Sequence, residues 1–287
     1  MNRIEIKNLS FSYGKKRVLN DVNVSMTNGL YGLLGKNGAG KTTLLKLIVG
    51  LLPVKTGQIQ VCGKSSPKEI RKLVGYLPQD FDFYPEMKLR ESLFYLGTLD
   101  NIKKSELNQR IDILLDLVNL TQEQNKKVKN LSGGMRRRLG IAQSLLNDPK
   151  VLVVDEPTAG LDPEERIRFR NLLSDLSAEK IVLFSTHIAS DLESTANQLG
   201  ILDNGHFIYD GSVEDLLHQY SGGTYETLID RKDFLKFKSE YIVFEQKELQ
   251  TGILVRFIHS GRPFDSFQRI PPSLESAYLM KIHERKS

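Results

Sequence analysis

Apolar and polar residues alternate at the start of the chain. Ile4 and Ile6 alternate with Glu5 and Lys7, a period of two that predicts a half-buried, edge-type strand. Val22, Val24 and Met26 repeat that period. Leu30 to Leu34 is a short apolar run ending at Gly35 and a glycine-rich loop; Thr42 to Val49 then reads as a helix closed by Gly50. Gly57 to Val61 is a further short strand. Downstream the period lengthens. Ile111, Leu114, Leu115 and Val118 share one helical face, with Ser105 the expected N-cap. Ser132 to Leu146 reads as another helix. Val151 to Val154 is wholly apolar, the mark of a strand buried on both faces. Phe169, Leu172, Leu173 and Leu176 form a helix stripe, and Ile181 to Phe184 a second buried strand. Leu199 to Leu202 and Phe207 to Tyr209 flank Asp203-Asn204-Gly205, a hairpin pattern.

Strands alternating with helices argue for an α/β core with a largely parallel sheet. The central helical block breaks the alternation and reads as an inserted subdomain. Ser221-Gly222-Gly223 is a candidate linker to a tail of different character. There, Tyr241 to Phe244 and Ile253 to Ile258 are expected strands, and Pro271-Pro272-Ser273 caps a short helix through Tyr278.

Composition narrows the class. With 287 residues, 40% hydrophobic and 26% charged, the chain is neither disordered nor a coiled-coil rod, and its length suits about two domains. The lone Cys62 excludes an intrachain disulfide framework and a cysteine-based zinc site, and fits a reducing compartment. A net charge of +5 is too weak to argue for nucleic acid. The richest apolar stretch, Leu44 to Val54, is broken by Lys46 and stops at Pro53, well short of the roughly 20 residues a spanning helix needs. The N-terminal alternation is not a signal-peptide core. The expectation is a soluble protein that something else would have to hold at a membrane.

Gly35-Lys36-Asn37-Gly38-Ala39-Gly40-Lys41-Thr42 fits the P-loop pattern, between a strand and a helix. Glycines let backbone N–H groups converge on phosphate oxygens, and the helix N-terminus adds a favourable dipole. Lys41 is expected to reach the β- and γ-phosphates, and Thr42 to ligate Mg²⁺ through its hydroxyl. The cradle is taken as Gly35, Asn37, Gly38, Ala39, Gly40, Lys41, Thr42 and Thr43. A second motif, Val151-Leu152-Val153-Val154-Asp155-Glu156, is an apolar strand ending in two carboxylates. Asp155 is placed to hold Mg²⁺, and Glu156 to polarise a water for attack on the γ-phosphate. Taken alone, this motif also reads as a solvated strand end; the upstream P-loop favours the acidic site.

Leu131-Ser132-Gly133-Gly134-Met135, ahead of a helix, resembles the signature of the ATP-binding-cassette (ABC) ATPases, usually Leu-Ser-Gly-Gly-Gln. A serine hydroxyl and two glycine N–H groups at a helix start form a second anion cradle. Other elements follow in that family's order. Tyr13 resembles the aromatic that stacks on adenine, and Gln79, in Gly75-Tyr76-Leu77-Pro78-Gln79, the Q-loop glutamine that touches Mg²⁺ and water. Ala159-Gly160-Leu161-Asp162 resembles the D-loop, with Asp162 also a candidate N-cap before Pro163; His187 resembles the switch histidine at the γ-phosphate. One departure is Met135 in place of the signature glutamine, which loses a side-chain hydrogen bond near the sugar.

The resemblance implies a P-loop NTPase ABC cassette: a RecA-like α/β core with an antiparallel β subdomain and an inserted α-helical subdomain, plus a small α+β C-terminal extension. The boundaries implied are 1–220 for the ATP-binding domain, approximately 85–150 for its helical subdomain and 224–287 for an accessory region. ATP and Mg²⁺ are the implied cofactors. Glu156, His187, Gln79 and Lys41 are the implied catalytic residues; Thr42, Gln79 and Asp155 the metal ligands; Tyr13, the P-loop and Ser132-Gly133-Gly134 the nucleotide contacts. In the family each ATP lies between one chain's P-loop and the other's signature. The implied partners are thus a second ATPase subunit, identical or paralogous, and a polytopic membrane permease that docks around Gln79–Met87. The implied location is the cytoplasm, peripheral on the inner face of the cell membrane.

Two local questions stay open on sequence. Arg136-Arg137-Arg138 is either a solvated helix face or electrostatic help at the nucleotide interface. Phe81, Phe83 and Tyr84, with Pro85 and Met87, either receive a permease helix or close the helical subdomain's own core. Pro272 to Leu279 resembles the tail of drug-, antibiotic- and lantibiotic-type exporter ATPases, and the tail is shorter than an importer's regulatory barrel, so export is expected over import. A soluble ABC protein acting on ribosomes or DNA is the other reading, but such proteins usually carry two cassettes or a long coiled-coil insertion. An unrelated GTPase would need an Asn-Lys-x-Asp guanine reader, which is missing.

Overall fold

The computed structural model describes residues 2–259 and 267–285. β1 (Arg3–Tyr13) and β2 (Lys16–Thr27) form an antiparallel pair in which Ile4 opposes Met26 and Ile6 opposes Val24. β3 (Gly29–Leu34) runs into the glycine loop and α1 (Lys41–Ile48). β4 (Thr56–Val61) pairs with the other side of β1, so this sheet runs β2-β1-β4. The strand expected at an edge is therefore the middle one. Alternation reports which face of a strand is buried, but carries no information on how many neighbours pair with its backbone.

α2 (Pro67–Ile70) leads to β5 (Val74–Leu77). Three helices follow: α3 (Leu89–Leu99), α4 (Lys104–Leu117) and α5 (Gly133–Ser144). They separate β5 from β6 (Val151–Asp155) in sequence, yet β5 and β6 are parallel neighbours, so the helices are an insertion between two adjacent strands. α4 starts earlier than expected. The Leu107 N–H bonds to the Lys103 carbonyl at 2.8 Å, making Lys103 the N-cap and leaving Ser105 inside the first turn.

α6 (Pro163–Ser177), β7 (Ile181–Thr186), α7 (Ser190–Glu193), β8 (Gln198–Asp203) and β9 (His206–Ser212) complete a six-stranded sheet of order β5-β6-β7-β3-β8-β9. All its pairs are parallel except the β8–β9 hairpin. Every residue of β6 and β7 is buried. Val151, Val153, Ile181 and Leu183 face a core shared with α1 and the first sheet. Leu152, Val154, Val182 and Phe184 face a second core shared with α6 and the inserted helices. The period of two thus divides one sheet between two layers. Truncating a fully buried ring such as Phe184 would cost about 3–5 kcal/mol.

After α8 (Val213–Gln219), Ser221-Gly222-Gly223 leads into β10 (Thr224–Ile229), α9 (Phe234–Glu240), β11 (Ile242–Leu249), β12 (Gly252–Ile258) and the short β13 (Gln268–Arg269). These strands form an antiparallel sheet of order β11-β12-β10-β13, with Tyr225, Val255 and Phe257 as its small core. α10 (Leu274–Glu284) runs past the expected end at Tyr278, because Met280 and Ile282 continue its buried face. Among the described residues no helix is long and apolar enough to cross a membrane.

Candidate functional site

β6, β7 and β3 are consecutive in the sheet and parallel, so their carboxyl ends lie side by side. That is where an open α/β sheet builds its ligand site. The glycine loop leaves β3, Asp155-Glu156 ends β6, and His187 follows β7. Three segments distant in sequence converge because strand order brings them together.

The loop has no room for other residues at two points. Gly40 has φ +112°, a region costly for any residue with a Cβ, and a Cβ on Gly35 would collide with the Leu202 carbonyl. Lys36, Asn37 and Gly38 are exposed, while Lys41 and Thr43 are buried at the start of α1 and Thr42 is half-buried. Lys41 Nζ turns back over the loop and donates to the Gly35 carbonyl at 2.7 Å and the Lys36 carbonyl at 3.3 Å. It also pairs with Glu156 Oε1 at 3.0 Å.

Glu156 sits in the left-handed region at φ +48°, uncommon for a residue with a side chain and typical of functional turns. Its N–H donates to the Ser185 carbonyl at 3.0 Å and to Ser185 Oγ at 3.2 Å. Its second carboxylate oxygen accepts from His187 Nδ1 at 2.7 Å; an ionised carboxylate can only accept, so the imidazole carries the proton on that nitrogen. The same Ser185 hydroxyl donates to Asp155 Oδ1 at 2.6 Å. Asp155 is fully buried, and its Oδ2 has no hydrogen-bond partner. A buried carboxylate oxygen without a donor is unstable unless a cation or solvent reaches it.

Behind this cluster lies a network that motif reading missed. Asp191 on α7, 1% exposed, accepts from Thr158 Oγ1 at 2.6 Å and from Arg166 Nη2 at 2.7 Å. It therefore ties the segment just after Glu156 to α6 and to the helix that follows His187. The only sequence signal was an acid four residues after the histidine, which reads as an ordinary helix surface. Asp162 is the N-cap of α6, accepting from the Glu165 N–H at 2.9 Å, with Pro163 in the first turn, as expected.

Tyr13 is half exposed, edge-on to Phe11, so its ring is available rather than spent in the core. Gln79 is exposed just beyond β5. Ser132, Gly133 and Gly134 are not brought to Lys41. They form the N-terminus of α5, where Ser132 Oγ accepts from the Met135 N–H at 3.2 Å and Ser132 and Gly133 stand exposed.

The arginine run fits neither reading offered by sequence alone. Arg138 is buried; it donates to the Val118 and Asn119 carbonyls at 3.0 and 2.9 Å, capping the end of α4, and pairs with Glu165 of α6 at 3.3 Å. Arg137 donates to the Gln79 carbonyl at 2.7 Å and lies over the Phe81 ring, and burial lowers its pKa. Arg136 alone is an exposed face. Phe81 and Phe83 pack against the main core, whereas Tyr84 is exposed and meets Tyr95 edge-on at 5.4 Å.

Comparison with known proteins places this geometry. Residues 19–159 match the family described as ABC transporter. The chain is 33% identical over 295 aligned positions to the ABC transporter ATP-binding protein YxlF of Bacillus subtilis, covering 98% of this chain and 99% of that protein. It is 36% identical over 224 positions to the Nod factor export ATP-binding protein I of Cupriavidus pinatubonensis, covering 76% and 69% of the two chains. It is 33% identical over 226 positions to the linearmycin resistance ATP-binding protein LnrL of Bacillus subtilis, covering 77% and 73%. A solved ATP-binding subunit of an ABC transporter superposes with a TM-score of 0.67 at 29% identity, over 76% of this chain and 92% of that one. The cbiO1 subunit of Clostridium perfringens shares the fold, with a TM-score of 0.68. A P-loop, an acidic strand end and a histidine on adjacent parallel strands, with helices inserted between β5 and β6, are thus the ABC cassette, and the chain belongs to the ATP-binding, ATP-hydrolysing subunits of ABC transporters.

Proposed function

We propose that this subunit drives export through a separate polytopic membrane permease, working head to tail with a second ATPase subunit. The observation that carries the catalytic part is Glu156, held between Lys41 and His187 beside the unpaired Oδ2 of Asp155. Lys41 donates to the Gly35 and Lys36 carbonyls and forms an ion pair with Glu156. The γ-phosphate of ATP competes with Glu156 for that ammonium, and the displaced carboxylate is free to orient a water. His187 keeps the carboxylate in place meanwhile. In this reading Gln79, exposed just beyond β5, reaches the same site, and Tyr13 stacks on the adenine.

Mg²⁺ fits this site. Asp155 Oδ2 is an orphaned hard oxygen that would take the ion, and the Thr42 hydroxyl and Gln79 would complete the protein's share of ligands. Among the described residues no cluster of three or more His, Cys, Asp or Glu could hold a metal. That suits an ion carried mainly by phosphate oxygens and one carboxylate. When bound, the ion neutralises charge on the transferring phosphoryl group.

The dimer reading rests on the exposed Ser132 and Gly133, a second anion cradle open to another chain's nucleotide. Residues 1–220 make the ATP-binding domain with its helical subdomain at about 85–150, and 224–287 an accessory region. Within Gln79–Met87 the permease contact includes exposed Tyr84, whose ring meets Tyr95, one of the residues that with Phe94 and Thr98 line a shallow groove. Export is supported by the relatives named for Nod factor export and linearmycin resistance. The subunit then sits on the cytoplasmic face of the membrane. Affinity purification from native membranes in mild detergent tests this. The expected result is a polytopic membrane protein in stoichiometric amount; ribosomes or nucleic acid in its place would contradict it.

A further inference from the structure

α5 lies along β5 and the loop that leaves it. Arg137, Gly140 and Ser144 follow one another at helical spacing and so share one face of α5. Each meets the strand or its loop. A Cβ on Gly75 of β5 would collide with the Ser144 carbonyl, and one on Gly140 with the side chains of Leu77 and Phe81. Nearer the start of the helix, Arg137 Nη1 donates to the Gln79 carbonyl at 2.7 Å, and its guanidinium lies 5.4 Å from the centre of the Phe81 ring. The far end of the loop is held as well. The Lys129 N–H donates to the Pro85 carbonyl at 3.1 Å, and the Val128 N–H to the Met87 carbonyl at 3.0 Å. Glu86 pairs with Lys127 at 2.9 Å and with Lys129 at 2.8 Å. The loop Gln79–Met87 is thus fastened at both ends to the segment that carries Ser132 and Gly133.

The two fastenings differ in kind. Glu86 and its lysines are exposed, and exposed ion pairs contribute little. Arg137 is half-buried, with a charged donor on a carbonyl and an aromatic face beneath it, which is the stronger arrangement. Its bond also falls on the main chain of Gln79 itself. We infer that Arg137 is a positioning residue for Gln79, setting the place of that side chain in the nucleotide site from the helix that begins at the signature. The inference rests on the reading that Gln79 serves the nucleotide site. A group held beforehand where it works need not be placed there at the moment of reaction. Arg137 stands two residues after Met135, so one side chain joins the signature helix to the loop that carries Gln79.

The test uses the full chain with Mg·ATP, with hydrolysis followed in a single turnover so that slow variants stay measurable. Arg137→Met keeps an apolar stem and removes the donors. It should lower the rate about three- to tenfold, with the affinity for ATP within about twofold of the parent. In a Gln79→Ala background the carbonyl remains and the side chain is gone. There Arg137→Met should change the rate by less than about twofold, the non-additivity of two residues that act as one. In the nucleotide-free chain, amide exchange across 79–83 should quicken in Arg137→Met. An equal loss of rate in both backgrounds would overturn the inference, because Arg137 would then act through packing alone. Unchanged exchange in this loop would also overturn it. Arg137→Gln, a milder change, enters the same cycle if Arg137→Met does not fold. Gln79→Ala hydrolysing at the parental rate would instead contradict the reading of Gln79 itself.

Discussion

Lys41 Nζ lies 3.0 Å from Glu156 Oε1, and the two side chains are only 5% and 6% exposed. A buried ion pair is stable only while both partners remain, because removing one leaves an uncompensated charge. On the proposed mechanism, phosphate takes Lys41 before Glu156 is released to act on water. Lys41→Ala should therefore lose ATP binding by calorimetry. It should also lower the stability of the nucleotide-free chain, by about 3 kcal/mol in urea unfolding. Binding of ATP with parental affinity in that variant would show that the loop works without its lysine.

Ser185 deserves a test of its own. Its hydroxyl donates to Asp155 and accepts from the Glu156 N–H, so one oxygen sets the orientation of both acids. Ser185→Ala should raise the Mg²⁺ concentration for half-maximal ATPase by about tenfold, as loss of a residue that orients a metal ligand does. Binding of ATP measured in EDTA should change little. An unaltered Mg²⁺ dependence would remove Ser185 from the account.

Asp191 should act on turnover rather than on binding. Its carboxylate holds Thr158, two residues after Glu156, and Arg166 on α6. Asp191→Asn keeps the shape but weakens the grip on Arg166. Small displacements of a catalytic group are costly, so kcat should fall by about tenfold or more while the KM for ATP stays near the parent. A rise in KM with kcat unchanged would place the role of Asp191 in nucleotide binding.

Much of the site was legible in the sequence, for a chemical reason. Phosphate cradling requires glycines and a lysine at set spacing, and an acid pair must follow an apolar strand to stand at the sheet's edge. Those demands are local, and the strands after which Gly35, Glu156 and His187 fall are the ones the structure brings together. What stayed hidden depends on partners far along the chain. Arg138 reads as surface charge until Val118, Asn119 and Glu165 surround it, and Arg137 until the Gln79 carbonyl does. The place of β1 in the middle of its sheet depends on β4, which alternation in β1 does not encode. Tyr278 looked like the end of a short helix, yet α10 runs on to Glu284, with Met280 and Ile282 buried in a core built from distant parts of the chain.

In the proposed mechanism Glu156 activates the attacking water. Glu156→Gln keeps the size of the side chain and loses its charge. Turnover of Mg·ATP, followed by phosphate release, measures this most directly. The variant is expected to bind Mg·ATP still, to persist as an ATP-bound dimer in light scattering, and to hydrolyse ATP at least about a hundredfold more slowly. Hydrolysis at the parental rate would contradict it.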